Sequence, residues 1–138
     1  MNLLLDTNAV AALVKGDRAV LSRLSALPKS SVAVPQPALA EIACGIERLP
    51  RSKRKDALRE ELALVRSELR AAEWTEAVTD AFGAIKADLE KRGKRIADFD
   101  AAVAAHAHAI GATLVTADVG DMIRIPGLVV EDWSRPPT

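Results

Sequence analysis

Several acidic residues of this chain stand inside apolar stretches, where a charge is costly unless something neutralises it. Asp6 is the only charged residue in positions 2–14, and Glu41 is the only one in positions 30–46. A carboxylate inside an apolar segment must be paired, hydrogen-bonded or bound to a metal. The pattern therefore predicts one cation site assembled from distant parts of the chain. In positions 98–121, the charged residues are all aspartates: Asp98, Asp100, Asp118 and Asp121.

Composition limits the class of protein. A chain of 138 residues is long enough to bury a core, and we expect one domain over residues 1–138. Hydrophobic residues make up 49% of the sequence, which excludes a disordered chain, and the net charge of +0 excludes a globally basic nucleic-acid binder. A single cysteine and the lack of an apolar run of ~20 residues favour a soluble, cytoplasmic protein without a membrane partner.

Short apolar runs alternate with helical patterns along the chain. The runs at 3–5, 31–34, 113–116 and 128–130 predict strands buried in a sheet. Their alternation with helices is typical of an α/β fold with a central, mostly parallel sheet and helices on both faces. Residues 51–93 carry two long amphipathic patterns, which predict an antiparallel helical hairpin beside the sheet.

The acids fall where such a sheet would bring them together. Asp6 directly follows the first strand, and Asp118 follows the third by two residues, so both lie at the carboxyl edge where ligands bind. Glu41 lies about one turn into its helix and can reach the same edge. Asp98 and Asp100 are two residues apart and cannot face the same way on a helix. The simplest assignment makes Asp98 the N-cap and Asp100 the site residue, and the reverse stays open.

Electrostatics favours a divalent cation among these acids. Two like charges about 4 Å apart repel by roughly 4 kcal/mol at an effective dielectric near 20. That repulsion is large beside the total stability of about 5–15 kcal/mol of a typical domain. The donors are all oxygens, which selects Mg²⁺ or Mn²⁺ over Zn²⁺. Each acid alone also has an ordinary role, such as a helix cap, so the prediction depends on their coincidence.

A basic cluster precedes the third group of acids. Most charge runs are solvated helix faces, and that is the commoner explanation here as well. This cluster, however, adjoins the predicted cation site, where a phosphate backbone would need to be held. The candidate RNA contacts are Lys91, Arg92, Lys94 and Arg95.

Four short motifs, in order, resemble one known family. Residues 4–8 (Leu-Leu-Asp-Thr-Asn) resemble the start of PIN-domain proteins, in particular the VapC-type toxins of bacterial toxin–antitoxin pairs. Segments 39–42, 98–107 and 114–118 resemble the second, third and fourth acidic motifs of that family. The resemblance spans essentially the whole chain.

The resemblance implies a fold and a set of site residues. The fold would be a three-layer α/β/α PIN-like domain with a helical hairpin insertion. Whether Asp98 or Asp121 assists at the site stays open. The implied metal ligands and catalytic residues are Asp6, Glu41, Asp100 and Asp118. Side chains implied to orient water, ligands or phosphate around them are Thr7, Asn8, Asp98 and Thr116.

The resemblance also implies an activity and partners. The activity would be an endoribonuclease dependent on Mg²⁺ or Mn²⁺, acting on RNA such as tRNA and leaving 5′-phosphate and 3′-hydroxyl ends. The partners would be a second copy in a homodimer and a VapB-type antitoxin, in a complex that can be larger still. The alternative is a catalytically inert PIN-like binding or regulatory module. That alternative draws on the near-zero net charge and on Ala117, which stands where the family commonly has an arginine.

Overall fold

Short parallel strands form the central sheet of the structure, a computed structural model that describes residues 2–134. The strands are β1 (Leu3–Leu5), β2 (Val32–Pro35), β3 (Arg70–Ala72), β4 (Thr113–Val115) and β5 (Val130–Glu131). Their order across the sheet is β3-β2-β1-β4-β5, and every neighbouring pair is parallel. The predicted sheet is confirmed, and within the described residues it is parallel throughout.

Helices connect the strands, and local sequence sets where several of them begin and end. The Ser52 hydroxyl accepts a hydrogen bond from the Lys55 backbone N–H at the start of one helix, and Thr75 caps another in the same way. Gly111, with φ of 66°, ends the helix before β4. None of the helices in residues 2–134 is long and apolar enough to cross a membrane. The helices are α1 (Thr7–Val14), α2 (Arg18–Ser25), α3 (Gln36–Glu47), α4 (Lys53–Glu68), α5 (Glu76–Lys91), α6 (Asp98–Ile110) and α7 (Val119–Met122).

The order of the strands fixes where a ligand site can lie. The chain runs outward from β1 through β2 to β3, then crosses back to β4 and β5 on the other side of β1. Right-handed crossovers place α1 to α4 on one face of the sheet and α5 and α6 on the other. In agreement, α1, α3 and α4 pack on one another and α5 packs on α6. The direction of winding therefore reverses between β1 and β4, which is where open parallel sheets bind ligands.

The middle of the chain differs from the predicted continuous helical hairpin over 51–93. The short strand β3 interrupts it and pairs with β2, with Val34 opposite Ala71. Only Ala72 of its residues is buried, and none is β-branched or aromatic, so the sequence carries no strand pattern there. α4 then packs on α1 and α3, whereas α5 packs on α6, so the two helices cover different faces.

The central strands are buried on both sides. Leu4, Leu5 and Leu114 are completely inaccessible to solvent, as are Val32 and Ala33 of the next strand. This explains why these strands read as unbroken apolar runs without alternation. It also makes the sheet a rigid platform for whatever side chains follow β1 and β4.

Truncating the centre of this platform tests the core. We expect Leu114→Ala to lower the free energy of unfolding by about 2–5 kcal/mol, because it leaves a cavity between packed layers. The matched control is Leu64→Ala on α4, whose side chain is 51% exposed, and which should change stability by about 0.5 kcal/mol or less. Urea denaturation followed by circular dichroism measures both. Equal losses in the two variants would contradict the assigned core.

Candidate functional site

Asp6 is buried at the junction of β1 and β4. Its backbone N–H donates to the Val115 carbonyl at 3.0 Å, which continues the ladder between the two strands. Asp6 is the N-cap of α1, and its carboxylate accepts a hydrogen bond of 2.8 Å from the Ala9 backbone N–H. The same carboxylate accepts a hydrogen bond from the Thr116 side chain. The residue is only 4% exposed. Burial has the largest influence on the pKa of Asp6 and raises it, as does the negative charge of Asp118. The hydrogen bonds lower the pKa, but its net shift is upward.

Thr116 also turns the chain after β4 so that a second acid approaches. Its hydroxyl oxygen accepts the Asp118 backbone N–H at 2.9 Å. Burial, followed by the charge of Asp121, raises the pKa of Asp118. Asp121 in turn lies 3.3 Å from the Arg124 guanidinium, which offsets part of its charge. Thr116 thus contacts both Asp6 and Asp118 and fixes the two acids relative to each other.

Glu41 reaches the site from α3, a helix that packs against both α1 and α6. The Thr7 hydroxyl donates a hydrogen bond of 2.8 Å to its carboxylate. Since Thr7 follows Asp6 directly, this bond ties Glu41 to the end of β1 across 34 residues of sequence. The half-buried Glu41 is therefore held beside the strand junction by a neighbour of Asp6.

Asp100 lies in the first turn of α6 and shows most directly that the acids converge. Its pKa is raised from 3.8 to about 6, first by burial and then by the negative charges of other carboxylates. The acids that act on Asp100 are Glu41, Asp118, Asp6 and Asp121. The structure thus brings the acids predicted as ligands close enough for their charges to act on Asp100, and Arg124 offsets part of the charge at Asp118 and Asp121.

The chemistry of this donor set fits a hard divalent cation, although the side chains are not arranged around one. Within residues 2–134, no three His, Cys, Asp or Glu side chains are close enough to hold an ion as they stand. The Glu41 carboxylate is turned to Thr7, and that of Asp6 to Ala9 and Thr116. Holding a cation therefore requires some of these carboxylates to turn toward one another. Their charge repulsion opposes that movement until a cation neutralises it, and the donors, all oxygens, are those that a hard divalent cation prefers.

Asp98 departs from its predicted place. Ala97 occupies the N-cap position of α6, with extended φ and ψ of −61° and 147°, and Asp98 is the first residue of the helix. The predicted N-cap role of Asp98 is therefore wrong. The Asp98 side chain instead makes an ion pair with Lys86 of α5. Sequence reasoning missed Lys86, because only the packing of α5 on α6 brings it to this end of the helix. Asn8, the other predicted neighbour of the site, lies exposed in the first turn of α1.

Arg92 differs from the other exposed members of the basic cluster because its side chain joins two parts of the fold. The Arg92 guanidinium donates to the Asp88 carboxylate, with its shorter contact at 2.6 Å, and to the Arg124 carbonyl at 2.6 Å. Arg92 thus ties the end of α5 to the segment after α7. The other members of the cluster, all exposed, are Lys91, Lys94 and Arg95. A cavity of about 350 Å³ has both Arg95 and Asp98 in its lining.

Comparisons with known proteins agree on one family. Residues 3–128 match the family model described as "PIN domain". The chain is 32% identical to ribonuclease VapC2 of Rickettsia felis, over 96% of this chain and 98% of that protein. It is 27% identical to the tRNA(fMet)-specific endonuclease VapC of Shigella flexneri, over 97% and 99% of the two chains. The crystal structure of VapBC2 from Rickettsia felis bound to a promoter DNA fragment matches with a TM-score of 0.86 at 29% identity, covering 97% of this chain and 100% of that one.

The raised pKa of the clustered acids predicts a pH-dependent stability. Between about pH 4 and pH 6 the folded protein holds a proton on Asp100 that the unfolded chain releases, so the free energy of unfolding falls as pH rises. Because Asp100 is half-buried and partly screened by water, we expect it to contribute only ~1 kcal/mol to this fall. Asp100→Asn should remove that contribution and stabilise the protein at pH 7. Urea denaturation in EDTA from pH 4 to pH 7 measures the difference between the two proteins.

The exposed acid Asp80 on α5 provides the control for this measurement. Asp80→Asn should keep the wild-type dependence on pH. If Asp100→Asn instead lowered stability at pH 7 in EDTA, the repulsion assigned to the acids would be refuted.

Proposed function

The chain belongs to the PIN-domain family and, within it, to the VapC ribonucleases, and we propose that it is a metal-dependent endoribonuclease toxin. The observation that carries the proposal is the convergence of acids from four separate segments where the winding of the sheet reverses. Burial and, after it, the charges of the other acids raise the pKa of Asp100 to about 6. A site of this kind is suited to a divalent cation and to a substrate that carries phosphate.

The proposed ligands of Mg²⁺ or Mn²⁺ are Asp6, Glu41, Asp100 and Asp118. When bound, such a cation lowers the pKa of a water molecule and neutralises charge on phosphate oxygens. The carboxylates act as ligands, since a bound cation itself lowers the pKa of the water and leaves no need for an aspartate to act alone as the base. Thr7 positions Glu41, and Thr116 positions Asp6 and Asp118. Attack of water on phosphorus with loss of the 3′ oxygen leaves 5′-phosphate and 3′-hydroxyl ends.

The proposed substrate is RNA, and tRNA is the class to examine first. The Shigella flexneri relative is a tRNA(fMet)-specific endonuclease, so a structured RNA with single-stranded loops is a reasonable substrate for this chain. The exposed cations after α5 are proposed to hold its backbone: Lys91, Lys94 and Arg95. Arg92 contributes less, because Asp88 and the Arg124 carbonyl already engage it.

One observation favours the alternative, an inert binding module on the same fold. In residues 2–134 no three acids are arranged to hold an ion without side-chain movement. Thermal melting in Mg²⁺ or Mn²⁺ separates the two functions, because an ion that binds only the folded state raises the melting temperature. A rise that is lost in Asp6→Asn supports the nuclease, and no response to either ion supports the inert module.

The proposed partner is a VapB-type antitoxin, which would bind beside the acids. A cavity of about 230 Å³ between α1, α3 and α4 has apolar walls and extends to Glu41. Lys15 and Arg54 are also in its lining. It suits a peptide segment with apolar side chains and an acidic group that pairs with these cations. We propose that such a segment covers Glu41 in a complex that also contains a homodimer of this chain.

Removing one proposed ligand tests the activity. We expect Asp6→Asn and Asp100→Asn each to lower the rate of RNA cleavage by at least ~100-fold, because each removes an oxygen ligand with a negative charge. Cleavage of total tRNA in Mg²⁺, followed by gel electrophoresis and end-group analysis, measures the rate and the products. Asp80→Asn, an exposed acid away from the site, should cleave like the wild type. Full activity of Asp100→Asn, or of the wild type in EDTA, would refute the proposal.

Filling the cavity between α1, α3 and α4 tests the partner. Gly45 lies in its wall, and a Cβ added there would meet no atom within 4 Å. We therefore expect Gly45→Leu to keep or raise the melting temperature, since glycine inside a helix costs about 1 kcal/mol relative to alanine. It should weaken binding of the co-expressed antitoxin by about 10-fold or more, as measured by titration calorimetry.

The control is Gly83→Leu, a helical glycine of α5 with equally open space around it. It should bind the antitoxin like the wild type. Unchanged binding by Gly45→Leu would place the antitoxin elsewhere on the chain.

A further inference from the structure

Most of the aromatic rings of this chain gather at one groove. The sequence has two tryptophans, two phenylalanines and no tyrosine. Trp133 is buried, but Trp74, Phe82 and Phe99 all line a groove of about 400 Å³ between α3, α5 and α6. Trp74 and Phe99 are each 46% exposed there. In a protein with so few aromatic residues, this concentration at the surface indicates a binding surface for a flat apolar group.

Trp74 is exposed and yet fixed in place. Its indole N–H donates a hydrogen bond of 2.7 Å to the Thr79 hydroxyl. Its ring lies 5.8 Å from that of Phe82 and 5.4 Å, edge to face, from that of the buried His106. A ring positioned in this way loses little conformational entropy when a ligand stacks on it, so the surface is preorganised.

The groove lies beside the acidic site along the chain. Ala40 and Phe99 line it and directly precede Glu41 and Asp100 in the sequence. Among the residues that the structure describes, Asp98 is the only charged side chain in its lining, and Lys86 pairs with that carboxylate. The groove therefore offers no cation to a phosphate. It instead offers aromatic ring faces on which an apolar group can stack. The phosphate of the same ligand would lie at the acids.

We infer that this groove stacks one unpaired nucleobase of the RNA, next to the phosphate held at the acids. The inference rests on the proposed ribonuclease function and adds the requirement for a single-stranded nucleotide there. Bases stack on aromatic side chains in single-stranded RNA recognition, whereas a base paired in a duplex has no free face. The Gln36 carboxamide, also in the lining, supplies a donor and an acceptor to the base edge.

Tryptophan fluorescence tests the stacking without any cleavage, because Trp133 is buried and Trp74 is the exposed reporter. In Mg²⁺, over times too short for cleavage, single-stranded hexa-adenylate should quench the emission, and a hexamer of abasic ribose phosphates should not. Phe99→Leu keeps an apolar side chain but removes the ring, and we expect it to weaken hexa-adenylate binding roughly 5- to 150-fold. Leu64→Ala, an exposed apolar residue of α4 outside the groove, should bind like the wild type.

The outcomes separate this inference from the proposed function. Equal quenching by the abasic hexamer, or unchanged binding by Phe99→Leu, would overturn the stacking site even if the wild type cleaves total RNA in Mg²⁺. A groove covered by a second copy would also overturn it. In that case light scattering would show Phe99→Leu shifting the protein from dimer to monomer, without a change in hexamer binding. Absence of cleavage of total RNA by the wild type in Mg²⁺ would instead refute the nuclease function.

Discussion

The repulsion among carboxylates at the end of β1 and β4 is the constraint on which the rest of the structure depends. Asp6 is buried there, and its backbone N–H is bonded to the neighbouring strand, so it cannot move away from the other acids without disturbing the sheet. Asp100 has a pKa of about 6 because it is half-buried and lies near this group of negative charges. A fold tolerates such an arrangement only when the central sheet is stable enough to hold it. The completely buried Leu4, Leu5 and Leu114 supply that stability.

Two threonines hold the acids in place, and both come within two residues after a strand. Thr7 follows Asp6 and binds Glu41, while Thr116 follows β4 and contacts Asp6 and Asp118. A hydroxyl can donate to a carboxylate without adding charge, so it orients the acid while leaving its negative charge for a cation. An arginine or lysine in either position would cancel the charge that the site is proposed to use. The neutral threonines are thus consistent with a cation-binding role for the acids around them.

The sequence predicted the parts of this arrangement that follow from the geometry of parallel strands. The approach of Asp6 and Asp118 was predictable because each follows a buried apolar run, and such runs end at a common edge. The strand β3 was not predictable, since Arg70, Ala71 and Ala72 resemble a strand in neither burial nor residue type. The pairing of Asp98 with Lys86 depends on how α5 packs against α6, which leaves no pattern in the sequence. Helix packing, rather than strand order, limited the prediction.

The helix α3 separates two surfaces that meet at the same acid. Its first half, including Ala40, lines the aromatic groove, and its second half, including Gly45, lines the cavity beside α1 and α4. Glu41 stands between these halves and is in the lining of the cavity. A peptide in the cavity could therefore cover Glu41 while leaving the ring faces of Trp74 and Phe99 free. Inhibition by a partner and recognition of a nucleobase would then use different surfaces, and each could change in evolution without disrupting the other.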